Sequence, residues 1–168
     1  IDRRLRALPE IGNPIYQEYY PLLRCILYTL HYEVRPFTVE EGRVLIDTKP
    51  HLFSPNEMQQ VADSYLPDTV KYIATLQKAV KQYPNDTALA YNLALALYAK
   101  GSIAEAMQPL TPLQPNSYVC NMRGILCMHL EQYSEAVAHF RQAAALGSQE
   151  AAANLEMARQ IINLAVIE

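Results

Sequence analysis

Hydrophobic and polar positions alternate strictly in one stretch of the chain, residues 25–35 (CILYTLHYEVR). Ile26, Tyr28, Leu30, Tyr32 and Val34 fall on one face, and Thr29, His31, Glu33 and Arg35 on the other. Such alternation, rich in Tyr, Val and Ile, predicts a strand. No second comparable run follows, so its ladder partner is expected outside these residues, because unpaired backbone groups are costly. The pattern predicts a domain cut through its middle. Ahead of it, 13–24 (NPIYQEYYPLLR) predicts a short helix opened by Asn13-Pro14 and interrupted at Pro21. Everything after Pro36 predicts helix. Thr38 with Glu41 makes a capping box for a helix near 38–47, ended by Lys49-Pro50. Ser54-Pro55 with Glu57 starts a helix to about Tyr65, and Asp68 starts one to Tyr83. After the turn Pro84-Asn85-Asp86 come helices near 87–100, 103–111, 117–130, 133–146 and 149–166. Pro109 lies inside the second of these, which is therefore expected to be short or bent.

Small and large residues recur at fixed offsets along these helices. Gly124 is followed by Ala136, Phe140 and Ala143; Ala94 is followed by Ala106 and Leu110, with Gly101 turning the hairpin between them. From Ala90 to Gly147 this series resembles two consecutive tetratricopeptide repeats, which recur at about 34 residues. Ala94 to Gly124 is only 30, so one repeat is shortened. The fold class expected is mainly α: tetratricopeptide-like stacked helical hairpins in a right-handed α-solenoid, preceded by a short helix–strand–helix remnant of an α/β domain. The domains expected are the remnant over 1–37, a connecting helix and linker over 38–50, and the helical repeats with a C-terminal capping helix over 51–168. The resemblance implies that the first helix of each hairpin lines a concave groove. That face takes Tyr91, Leu95 and Tyr98 from one hairpin and Tyr118, Asn121, Ile125, Met128 and His129 from the next. Tyr91 and Leu95 stand where a carboxylate clamp for C-terminal tails needs polar residues, although Asn92 remains, so chaperone-tail binding is disfavoured.

Half of the chain is apolar and 18% is charged, which fits a folded globular chain. A net charge of −3 without a basic cluster excludes the electrostatic footprint of a nucleic-acid binder. No apolar run approaches the roughly 20 residues of a membrane span. The first residue is Ile1, with neither a charged n-region nor an apolar h-region, so a fragment or processed product is expected. Three cysteines cannot form a disulfide framework, and Cys120 and Cys127 read as small core-facing residues. Twelve Tyr against three Phe and no Trp favour half-buried or binding surfaces.

Chemistry-bearing constellations are missing from the pattern. His31, His51, His129 and His139 lack metal-ligand spacing, and the isolated glycines form no phosphate loop. Glu40 and Glu41 are consecutive and diverge around the helix. No enzyme, cofactor or metal is expected. The last helix, Gln149–Ile167, carries Glu150, Asn154, Arg159, Gln160 and Asn163 on a polar face. Its end, with Ile161, Ile162, Leu164, Ala165 and Val166, is apolar enough to expect a continuing chain or a partner there.

Tyr19 to Arg24, the run YTLHYEVRPF (28–37) and EEGRVLIDTKPHLFSPNEMQQVADSY (40–65) resemble an envelope-protein family of Bacteroidales-type bacteria, and YPNDTALAYNLALAL (83–97) continues the likeness. In that family an outer-membrane-protein-A-like domain precedes tetratricopeptide-like helices. The resemblance implies a periplasmic or outer-membrane-associated setting without enzymatic activity, with LRCILYTL (23–30) as the last strand of the upstream domain. Peptidoglycan contact is implied only through residues upstream of this sequence. The function expected is a protein–protein interaction scaffold of the cell envelope, a peptide or partner protein docking in the groove. The alternative is a structural anchor linking outer membrane and cell wall. A dimer through strand 26–35 is a further expectation.

Overall fold

The computed structural model describes residues 35–165 together with Arg3, Glu10, 14–19, Pro21, 29–31 and Glu33. The chain divides into two compact units, Ile1–Arg35 and Pro36–Glu168. In the first, a π-helical turn spans Ile15–Tyr19, within the helix expected over 13–24. Of the expected strand over 25–35, only Thr29, Leu30, His31, Glu33 and Arg35 are among the described residues. These have no regular secondary structure and are exposed; the remainder of 22–34 lies outside the described residues. Alternation alone does not make a strand without a neighbouring ladder, and the described residues offer none.

The second unit is helical. Among the described residues, six of its eight α-helices start where a side chain accepts from a free N–H group, those at Ile103–Met107 and Tyr133–Ala145 being the exceptions. Helix α1 (Val39–Leu45) opens on Thr38, whose Oγ1 accepts from the Glu41 N–H at 3.3 Å while the Glu41 carboxylate accepts from the Thr38 N–H at 2.9 Å. Helix α2 (Pro55–Asp63) repeats the box with Ser54 and Glu57, and Pro55 takes the first position, where no N–H is needed. Asp68 caps α3 (Thr69–Gln82), Asp86 caps α4 (Thr87–Ala99) and Asn116 caps α6 (Ser117–His129). Ser148 accepts from the Ala151 N–H at 3.1 Å ahead of α8 (Gln149–Ala165). Helix α5 (Ile103–Met107) has only 5 residues and passes into a 3₁₀ turn, Gln108–Leu110. Pro109 has no N–H to continue the ladder. Arg123 completes that end: its Nη2 donates to the carbonyls of Leu110 at 2.6 Å and Leu113 at 3.1 Å.

Packing runs between neighbours along the chain: α1 with α2, α2 with α3, α3 with α4, α4 with α5, α5 with α6, α6 with α7 (Tyr133–Ala145), and α7 with α8. Alternate helices also meet, α4 with α6 and α6 with α8. One core joins Phe53, Met58, Leu76, Leu89, Leu110 and Leu126. Ile46 belongs to it, so residues expected as a connector form part of the packed unit. A second core holds Cys127, Ala136, Phe140, Leu155 and Ala158. Between α6 and α7, a Cβ on Gly124 would lie 2.5 Å from the Phe140 ring, the close approach its place in the sequence implies.

Candidate functional site

Three residues of the expected groove converge. Ile125, Met128 and His129 of α6 line a cavity of about 140 Å³, with Phe140 from α7 and Asn154, Met157, Ala158 and Ile161 from α8. Helix α6 turns Ile125 and Met128 to the slot, while Cys120 and Cys127 are buried with residues of both α7 and α8 and Gly124 lies against Phe140 of α7. Met157 and Ile161 stand one turn apart on α8 and remain exposed. The slot therefore has an apolar lining and a polar rim of His129 and Asn154, with no carboxylate, ammonium or guanidinium among its lining residues.

The rim is held in place from both sides. The Tyr98 hydroxyl lies 2.8 Å from His129 Nε2, and the two rings meet edge to face at 5.1 Å. Asn154 Nδ2 donates to Asn121 Oδ1 at 3.0 Å, tying α8 to α6. The same contact recurs between α4 and α2, where Asn92 Nδ2 donates to Gln59 Oε1 at 3.0 Å. Each pair spans 33 residues, so an amide contact joins alternate helices twice.

The other expected groove residues divide. Tyr91 is half-buried against the main core. Leu95 is 47% exposed and Tyr118 72% exposed, and neither lines the slot. Sequence reading missed Phe140, Asn154, Met157 and Ala158 as slot residues. The 33-residue spacing of Asn121 and Asn154 was the available signal.

The thiols of Cys120 and Cys127 are buried, and burial pushes both up from their ordinary value, which keeps them protonated. Among the described residues no group of three or more His, Cys, Asp or Glu could hold a metal ion, and no helix is long and apolar enough to cross a membrane. Compared with known protein families and with curated proteins, the sequence has no match.

Proposed function

We propose that this chain is a non-enzymatic protein–protein interaction scaffold, a tetratricopeptide-like right-handed α-solenoid whose concave groove receives a peptide or partner segment. The slot between α6 and α8 is where one bulky apolar side chain of that partner enters. The observation that carries the reading is the slot's size and lining. A cavity of about 150 Å³ lined by aliphatic and aromatic side chains accepts a benzene-sized guest. At about 140 Å³, the slot suits one Leu or Phe side chain. Its uncharged lining favours an uncharged occupant, and the His129 and Asn154 rim offers hydrogen bonds to the backbone beside it. Met, abundant at adaptable binding surfaces, forms two of its walls. The cell-envelope setting of this scaffold rests on the resemblance of 19–24, 28–37, 40–65 and 83–97 alone.

The test is selection of random linear peptides on the protein, followed by affinity measurement against the double variant M157E/I161E. Selected peptides are expected to share a bulky apolar residue and to lose at least about ten-fold in affinity, the scale set by truncating a contact residue. The circular dichroism of the variant should stay native, since both positions are exposed. Undiminished binding by that variant sinks the slot assignment.

A further inference from the structure

A second cavity, of about 530 Å³, shares no residue with the slot and lies among α3, α4 and the segment from α5 to Pro112. It follows from the sequence. Helix α5 stops after 5 residues, whereas α3 has 14 and α7 has 13. The space a longer helix would fill is bounded instead by Gln108, Pro109 and Pro112. The floor is apolar, formed by Leu93 and Leu97, which are almost wholly buried.

Two opposite charges stand on different walls: Lys81 on α3 and Glu105 on α5. Neither takes part in an ion pair or side-chain hydrogen bond among the described residues, whereas Lys71, Lys78 and Arg159 are paired with Asp68, Asp47 and Glu156. An anionic ligand would answer Lys81 and be repelled by Glu105, and a cationic one the reverse. A ligand carrying both signs around an apolar body satisfies both walls and the floor at once. The volume lies in the range of about 300–1,000 Å³ typical of small-molecule sites.

We propose that this cleft binds a short apolar peptide with free ends, two or three residues long. Its carboxylate pairs with the Lys81 ammonium, its α-ammonium with the Glu105 carboxylate, and its side chains lie on Leu93 and Leu97. The site stands apart from the slot and does not depend on the groove reading.

The experiment is a methyl-NMR titration of the whole chain with leucyl-valine, with its N-acetyl form, with its C-terminal amide and with the doubly blocked form. The free dipeptide is expected to shift Leu93 and Leu97, and blocking either end should weaken binding about 2- to 5-fold, as loss of one solvent-exposed ion pair does. In Lys81→Met the free acid and the amide should bind alike while acetylation still weakens binding; in Glu105→Gln the pattern should invert. Both substitutions are at exposed positions, and circular dichroism checks that the fold is kept. Unmoved Leu93 and Leu97 methyls overturn the site. Equal affinity of free and doubly blocked dipeptide overturns the pairing of both ends.

Discussion

A methyl group added at Gly124 would meet Cδ1 and Cε1 of Phe140 at 2.5 Å, and Phe140 is 2% exposed, so its ring has nowhere to withdraw. Gly124→Ala should cost about 1–3 kcal/mol by overpacking, read as a lower denaturant midpoint at unchanged slope. Gly101→Ala should act differently. Nothing lies near its Cβ position, and φ is +87°, so the cost of about 1 kcal/mol comes from the left-handed backbone. His139 carries a pH signature. Burial, and then the Arg123 charge, lower it from its ordinary 6.5, with Glu135 opposing. A lowered histidine makes the folded state bind protons less readily than the unfolded state. Its stabilising effect is therefore full above 6.5 and is lost as the pH falls through the folded value. Replacing His139 with Gln should flatten that part of the stability–pH curve, measured by urea melts from neutral to mildly acid pH. Gly124 was legible in sequence because small–large–small spacing reports helix contact directly. His139 was not, since the histidine's burial depends on how α6 and α7 meet.

At the scale of the element, capping chemistry marks where most helices begin, α5 and α7 excepted, and this was the most legible layer. Thr38 with Glu41, Ser54 with Glu57, and Asp68 all act as their spacing predicts. Asp86 enters the sequence reading only as a turn residue and Asn116 not at all, yet each accepts an N–H three residues on, at 2.9 Å and 2.8 Å. Their substitution by Ala should cost about 1 kcal/mol each, seen as a fall in melting temperature. Pro109 was read correctly as a helix limit because a missing N–H is a local fact. That Arg123 would satisfy the carbonyls beyond it was illegible: Leu110 and Leu113 lie in another hairpin, 13 and 10 residues away. The alternating run at 25–35 marks the opposite limit. Its pattern is local, but a strand needs a ladder, and a ladder is a tertiary object.

For the unit Pro36–Glu168 as a whole, the proposed solenoid together with contacts between consecutive helices makes stability a sum of neighbouring interfaces. Its C-terminal end should then open without dragging the rest with it. Ala151, Leu155 and Ala158 are the residues by which α8 is buried, and Asn154 adds one amide link to α6. A Glu at Ala158, which is 1% exposed, would place an unpaired charge against Cys127 and Phe140 and drive α8 off. Hydrogen exchange on Ala158→Glu should show α8 losing protection and α7 weakening, while α2, α3 and α4 exchange as in the native chain. The slot between α6 and α8 should lose its guest in the same variant, because Met157 and Ile161 leave with their helix. The cleft of Lys81 and Glu105 should be untouched, since its walls come from α3, α4 and the segment from α5 to Pro112. A uniform loss of protection from α1 to α8 would mean that the unit folds as one block. The independence of the two sites would then fail with it.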